Sequence, residues 1–138
     1  HNMNLAFSNV QFFLGIDSER KVIVDSCATG MGQGAGNLQT ELILPYLNQN
    51  YGKNYDYDSV LDICDILDKE MIPNDLWGYS VARLLPAVYK TAYKYGLMMR
   101  NKYHLSFRQM NRVLKEMPAE NRMRFTPMDL ERILATIK

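Results

Sequence analysis

The sequence predicts a mainly α-helical fold with one or two β-strands, divided into two parts. Apolar residues recur at helical spacing along most of the 138-residue chain, whereas a Val-rich run suited to a strand occurs at residues 21–26. The segment Ile72-Pro73-Asn74-Asp75 then interrupts the helical spacing. It predicts a boundary between a first domain, residues 1–72, and a second, helical domain, residues 73–138.

In the first domain, apolar spacing predicts three helices, over residues 4–14, 38–48 and 57–69. Asn37 is the predicted N-cap of the second helix, because an Asn side chain accepts hydrogen bonds from the free N–H groups of a first turn. Pro45 lies inside that helix. Since proline removes a hydrogen bond and clashes with the preceding turn, we expect a kink or an early end there.

Helical spacing continues through the second domain. One long helix is predicted over residues 79–95, with a kink at Pro86. Ser106 and Gln109 have the spacing of a capping box, and Thr126 has the position of an N-cap. These signals predict that further helices begin at Ser106 and at Thr126.

The net charge of +1 conceals an uneven distribution. Residues 1–82 carry 4 Lys/Arg and 11 Asp/Glu, a net −7, and residues 83–138 carry 12 and 4, a net +8. A basic half can bind nucleic acid or an acidic partner. Here the basic residues alternate with apolar helix positions, without a contiguous run or interleaved stacking aromatics. We therefore predict solvated helix faces and no nucleic-acid binding.

Cys27 and Cys64 match no metal-binding or redox spacing. In a chain without a recognisable signal peptide, two such cysteines predict reduced thiols and a cytoplasmic protein. No apolar run approaches the about 18 residues of a membrane span, so no membrane association is expected.

Residues 30–37, Gly-Met-Gly-Gln-Gly-Ala-Gly-Asn, which we call the glycine loop, lie between the predicted strand and the next helix. Glycines permit positive φ angles and close approach to a ligand, so the loop could hold an anion, a carbonyl oxygen or a metal. The alternative is a tight turn that only joins a strand to a capped helix. The loop lacks Gly-Lys-Ser/Thr, and no acidic residue ends a second strand about 20 residues later, so neither a P-loop nor an NAD site is predicted.

The segment Asp25-Ser26-Cys27-Ala28-Thr29-Gly30-Met31-Gly32-Gln33-Gly34-Ala35-Gly36-Asn37-Leu38-Gln39-Thr40-Glu41 resembles the loop after the seventh barrel strand of metal-dependent pyruvate aldolases. Those aldolases belong to a superfamily of TIM-barrel enzymes that includes 4-hydroxy-2-oxovalerate aldolases and 3-hydroxy-3-methylglutaryl-CoA lyases. Upstream, residues 1–9 resemble the continuation of the same family's His-x-His metal motif. The resemblance implies the C-terminal fragment of a (β/α)₈ barrel followed by a small helical domain. Both metal-binding histidines would then precede His1, which we assign no ligand role.

The resemblance also implies an activity, the reversible cleavage of a 4-hydroxy-2-oxo acid to pyruvate and an aldehyde with Mn²⁺ or Mg²⁺. It implies Asn37 as a metal ligand, contact with the substrate at Gly30, Gly32, Gly34 and Tyr79, and no catalytic residue in this chain. The related synthases carry Glu-Arg where this chain has Gln33-Gly34, and the acyl-CoA lyases insert a Cys-Pro-Tyr stretch that is absent here. The loop therefore favours an aldolase, with an acyl-CoA lyase or synthase as the alternative.

The segment from Gly78-Tyr79-Ser80 onwards resembles the helical domain that, in some of these aldolases, contacts a partner acylating dehydrogenase. The resemblance implies such a partner, or a homo-oligomer. On its own the chain should bind no divalent metal tightly and should be inactive, since of the family's metal ligands only Asn37 is present. A competing hypothesis is a helical interaction module without catalysis.

Overall fold

The computed structural model describes residues 3–71 and 77–136. In these ranges the chain forms eight α-helices and one short 3-10 turn, which confirms the predicted mainly helical fold. The chain divides into two compact units, His1–Gly78 and Tyr79–Lys138. The predicted boundary between residues 72 and 73 lies outside the described residues, as does His1.

The first unit contains three α-helices and the 3-10 turn. The helices α1, α2 and α3 cover Ala6–Leu14, Thr40–Tyr51 and Asp58–Glu70, and the 3-10 turn covers Ala28–Gly30. Helices α2 and α3 pack against each other and against the 3-10 turn. The three helices predicted for this part of the chain are thus present.

The strand predicted at residues 21–26 does not form. The segment has the alternation of a strand, since Val22 and Val24 are half-buried while Ile23 between them is 74% exposed. A strand also needs a hydrogen-bonded neighbour, and within the described ranges pairing is limited to one isolated parallel bridge, between Cys27 and Gln39. The sequence pattern therefore describes the exposure of these side chains but not their backbone pairing.

The Asn37 cap predicted for α2 is wrong, and so is an early end of α2 at Pro45, whereas a kink there stays a prediction. Gln39, not Asn37, is the residue before the helix, and its side chain makes no capping hydrogen bond. Pro45 does not end the helix early, because α2 continues to Tyr51 and stops at Gly52, whose φ of 59° is left-handed. The Glu41 carbonyl, four residues before Pro45, accepts a hydrogen bond from the Tyr57 hydroxyl at 3.1 Å. Tyr57 thus replaces the donor that proline lacks.

The second unit contains the remaining five helices. They are α4 Val81–Val88, α5 Tyr93–Asn101, α6 Phe107–Glu116, α7 Ala119–Arg122 and α8 Pro127–Thr136. The single helix predicted over residues 79–95 is wrong, because the chain leaves the helix after Val88 and not at Pro86. Lys90 adopts a φ of 53°, and the N–H and hydroxyl of Thr91 both donate to the Pro86 carbonyl, at 2.8 and 3.2 Å.

The core of the second unit consists of buried residues from α4, α5, α6 and α8 and from the turn after α6, namely Ala82, Tyr95, Met99, Met110, Val113, Leu114, Met117, Leu130 and Ile133. Gly96 allows α5 to approach α4, because a Cβ built on it would lie 1.9 Å from the Ala82 carbonyl oxygen. That carbonyl precedes Pro86 by four residues and so has no helical donor.

Both predicted caps in the second unit are confirmed. The Ser106 hydroxyl accepts from the Gln109 N–H at 3.3 Å, and the Gln109 side chain accepts from the Ser106 N–H at 2.9 Å. Thr126 accepts from the N–H of Asp129 at 3.2 Å, so α8 begins where the sequence predicts.

Candidate functional site

The glycine loop is closed at its base by backbone hydrogen bonds. The Cys27 N–H donates to the Leu38 carbonyl and the Thr40 N–H donates to the Cys27 carbonyl, each at 3.1 Å. Between these closures the chain makes a series of turns that need glycine. Gly30, Gly32 and Gly34 have φ angles of 65°, 139° and 93°, which L-residues with side chains rarely adopt.

The glycine loop presents a row of unpaired backbone donors. Within the described parts of the chain, no acceptor pairs with the N–H groups of residues 32–39. Gly34, Ala35 and Gly36 are nevertheless buried. Unpaired buried N–H groups are rare in folded proteins, so these donors are suited to a carboxylate or carbonyl oxygen of a bound ligand.

The Asn37 side chain folds back onto the loop instead of capping α2. Its amide nitrogen donates to the carbonyls of Gly30, at 3.5 Å, and Met31, at 3.2 Å. With the nitrogen used in this way, the amide oxygen Oδ1 accepts no hydrogen bond from any described residue. Asn37 is therefore oriented with a neutral oxygen ligand to offer.

Asn37 also lines a cleft of about 430 Å³ in the first unit, a size typical of small-molecule sites. The cleft is lined by Ala6, Asn9, Val10, Asp25, Ser26, Cys27, Asn37 and Leu38. The Asp25 carboxylate and the Asn37 amide are oxygen ligands of the kind that Mg²⁺ and Mn²⁺ prefer. Among the described residues no group of three or more His, Cys, Asp or Glu could hold a metal.

Three residues form a hydrogen-bonded group at the start of the glycine loop. They are Thr29, Glu41 and Trp77, which we call the Thr29 cluster. Thr29 has a φ of 55°, and its N–H donates to Oε2 of Glu41 at 2.9 Å. The Trp77 indole N–H donates to the Thr29 hydroxyl oxygen at 3.0 Å. No role was predicted for these residues from the sequence. Glu41 lies within the quoted family pattern, which was the one signal that could have identified it.

Neither cysteine is an activated nucleophile. The Cys27 thiol donates to the Met31 carbonyl at 2.7 Å, and both cysteines are free thiols. Partial burial, followed by the nearby Glu41 carboxylate, raises the pKa of Cys27 and that of Cys64 above the ordinary value. Both therefore stay protonated at neutral pH.

Tyr79 lies in the second unit, directly before the cap of α4, where the Ser80 hydroxyl accepts from the Arg83 N–H at 3.3 Å. Its side chain is 58% exposed. Within the described ranges its hydroxyl has no hydrogen-bond partner, so it is free to contact a ligand.

No helix among the described residues is both long and apolar enough to cross a membrane.

Comparison with known proteins identifies two similar sequences. The 4-hydroxy-2-oxovalerate aldolases of Streptomyces griseus subsp. griseus and of Streptomyces tendae are 38% and 40% identical to this chain over 52 residues. That segment covers 37% of this chain and 15% of each relative, so the chain matches a small part of the relatives' length. No protein-family model and no solved structure matches the chain. The predicted resemblance to 4-hydroxy-2-oxovalerate aldolases is thus confirmed for part of the chain.

Proposed function

We propose that this chain is the C-terminal part of a divalent-metal-dependent aldolase that cleaves a 4-hydroxy-2-oxo acid to pyruvate and an aldehyde. The observation that carries the proposal is the orientation of Asn37, whose amide nitrogen is bonded to the glycine loop while its oxygen stays unpaired on a residue that lines the cleft. The similarity to two proteins named 4-hydroxy-2-oxovalerate aldolase supports the reaction class.

The unpaired amide oxygen of Asn37 is a ligand of the kind that a hard divalent cation accepts. Asn37 would contribute a neutral amide oxygen, and the remaining ligands would come from the preceding part of a longer polypeptide. Mn²⁺ or Mg²⁺ supplies Lewis-acid stabilisation of the negative charge on a pyruvate enolate. Because one neutral amide cannot offset the cost of dehydrating such a cation, the chain alone should bind neither metal tightly and should not turn over.

The chain's own contribution is to bind and orient the substrate. The unpaired N–H groups of the loop are suited to bind an oxygen of the 2-oxo acid. Because Gly30, Gly32 and Gly34 have no side chains and adopt positive φ angles, the substrate can approach the loop backbone closely. The exposed Tyr79 hydroxyl would donate a further hydrogen bond to a carbonyl or carboxylate of the substrate, as the resemblance implies. No group of this chain is assigned a proton transfer.

The same resemblance extends the proposal to the partner and the location. The second unit would contact an acylating dehydrogenase or a second copy of the chain in the cytoplasm, and it would bind no nucleic acid. The second candidate function is a helical interaction module without catalysis. It is favoured by the separate hydrophobic core of the second unit and by the net +8 of residues 83–138, which together suit a docking domain for an acidic protein.

The test is a substrate panel on the complete polypeptide that contains this chain. With Mn²⁺ present, we expect pyruvate release from 4-hydroxy-2-oxovalerate and no acetyl-CoA production from 3-hydroxy-3-methylglutaryl-CoA. Asn37→Ala should reduce the release by at least about tenfold, as expected for loss of a metal ligand. Asn50→Ala is the matched control, because the Asn50 amide also donates to a backbone carbonyl, that of Tyr46, but does not line the cleft. Acetyl-CoA production would indicate the lyase alternative, and no turnover at all would favour the interaction module.

A further inference from the structure

The structure assigns a positioning role to Glu41, which we propose holds the Asn37 amide in place by acting through Thr29. The inference deepens the proposed function, because the purpose of the contact would be to present Asn37 to a cation. It rests on contacts made beneath the glycine loop by residues that the proposed reaction does not otherwise use. Each contact can also be measured without an activity assay.

The first step is the conformation of Thr29, which is costly for a β-branched residue. Its φ of 55° is left-handed, a region that residues other than glycine rarely enter. Such conformations persist where surrounding contacts hold them in place. Here the contacts are a charge-assisted hydrogen bond from the Thr29 N–H to Glu41 and a hydrogen bond from Trp77 to the Thr29 hydroxyl.

The second step is the rigidity of Glu41 itself. Glu41 lies in the first turn of α2, yet its carboxylate accepts from the Thr29 N–H and not from its own helix. Its backbone carbonyl is held separately by the Tyr57 hydroxyl at 3.1 Å, because Pro45 provides no donor. Glu41 is therefore held on both its backbone and its side chain, as a positioning residue requires.

The third step connects Thr29 to Asn37. Thr29 directly precedes Gly30, whose carbonyl accepts from Nδ2 of Asn37. A change in the backbone of Thr29 moves that carbonyl, and the neighbouring Met31 carbonyl that also accepts from Asn37 moves with it. Loss of Glu41 should therefore release the Asn37 amide without removing any residue of the cleft lining.

The test compares Glu41→Ala, Glu41→Gln and Asp58→Ala in the 138-residue chain. Gln keeps an acceptor oxygen for the Thr29 N–H, whereas Ala removes it. Asp58 is the matched control, since it is an exposed acidic residue in the first turn of α3 and forms no hydrogen bond with any described residue of the loop. Nuclear magnetic resonance measures hydrogen exchange of the Thr29 amide and the side-chain amide resonances of Asn37.

We expect the Thr29 amide to exchange at least about tenfold faster in Glu41→Ala, as follows from losing a charge-assisted hydrogen bond. The Asn37 side-chain resonances should shift toward the values of a solvent-exposed amide. Glu41→Gln should keep most of the wild-type protection of the Thr29 amide and most of the wild-type Asn37 resonance positions. Asp58→Ala should resemble the wild type in both measurements. Trp77 is the single tryptophan of the chain, so its fluorescence should also become easier to quench with acrylamide in Glu41→Ala.

Unchanged Thr29 exchange in Glu41→Ala would overturn the proposal, as would faster exchange with unaltered Asn37 resonances. If Glu41→Ala does not fold, Trp77→Phe provides the same readouts, because it removes the other hydrogen bond that holds Thr29. Thr29 exchange and Asn37 resonances equal to those of the wild type in that variant would be equally contrary. In the complete polypeptide, Glu41→Ala should lower kcat/KM for pyruvate release and Glu41→Gln should partly restore it. A complete polypeptide without aldolase activity would refute the proposed function and leave the resonance measurements to decide the role of Glu41.

Discussion

Gly32 provides the most detailed test of the loop geometry. Its φ of 139° lies in a region that is essentially restricted to glycine, and a Cβ built on it would lie 2.3 Å from the Asn37 amide nitrogen. Gly32→Ala should therefore force Asn37 to move and break its hydrogen bonds to the carbonyls of Gly30 and Met31. Backbone strain costs about 1–3 kcal/mol, and each lost hydrogen bond about 0.5–1.5 kcal/mol. Gly32→Ala should thus reduce the free energy of unfolding by about 2–6 kcal/mol.

Gly52→Ala is the matched control for this substitution. Gly52 also has a positive φ, 59°, but a Cβ there would meet nothing within 4 Å. Its cost should be the left-handed strain alone, about 1–2 kcal/mol. Urea unfolding of the 138-residue chain, followed by circular dichroism, measures both differences.

A double-mutant cycle separates the strain from the collision. In an Asn37→Ala background the amide nitrogen is absent, so Gly32→Ala should cost only its backbone strain. The predicted coupling between the two substitutions is about 1–3 kcal/mol, the cost of the two Asn37 hydrogen bonds. Additive effects within about 0.5 kcal/mol would show that Asn37 does not lie over Gly32 and would refute the geometry on which its role as a ligand depends.

Three further predictions follow from other parts of the chain. Gly96→Ala should lower the free energy of unfolding by at least about 3 kcal/mol, because the added Cβ would collide with the Ala82 carbonyl. Gly15→Ala is the control: its Cβ would meet no atom closer than 3.5 Å, so the free energy of unfolding in the same urea assay should change little. Cys27 should react with iodoacetamide more slowly than a free cysteine between pH 7 and 9, since its raised pKa leaves less thiolate there, and an equal rate would contradict its burial. In the complete polypeptide, Tyr79→Phe should lower kcat/KM for pyruvate release by about two- to tenfold without a matching loss of stability, and an unchanged kcat/KM would leave Tyr79 without a role in binding.

Features set by neighbouring residues could be predicted from the sequence. The capping box of Ser106 and Gln109 and the cap at Thr126 depend on groups three residues apart, and both form as predicted. The helices of the first unit likewise follow from apolar spacing over a few turns. Local chemistry is sufficient wherever the partner groups lie within the same element.

Features that depend on contacts between residues far apart in the sequence could not be predicted. Residues 21–26 have the pattern of a strand but no neighbour with which to pair, and Pro45 is tolerated because Tyr57 supplies a donor from outside the helix. The break after Val88 depends on the left-handed Lys90, whereas the sequence drew attention to Pro86. Each outcome required a contact, or a backbone conformation, that a periodic pattern does not contain.

In the candidate site, too, local features could be predicted from the sequence and contacts between distant residues could not. The positive φ angles of Gly30, Gly32 and Gly34 could be expected from glycine alone, and they are observed. The Thr29 cluster was missed because Thr29 meets Glu41 across 12 positions and Trp77 across 48. The capping role predicted for Asn37 was wrong because the loop carbonyls, brought close by the glycine turns, compete for the same side chain.

The proposed aldolase activity depends most directly on Asn37 being a ligand of a divalent cation. Calorimetric titration with Mn²⁺ of the complete polypeptide, wild type, Asn37→Ala and the control Asn50→Ala, measures this without substrate. We predict that Asn37→Ala weakens Mn²⁺ binding by at least about tenfold, that Asn50→Ala leaves it unchanged, and that the 138-residue chain alone shows no micromolar site. Equal Mn²⁺ affinity in the wild type and Asn37→Ala would contradict the ligand role of Asn37, and tight Mn²⁺ binding by the 138-residue chain alone would contradict the proposed division of the metal ligands.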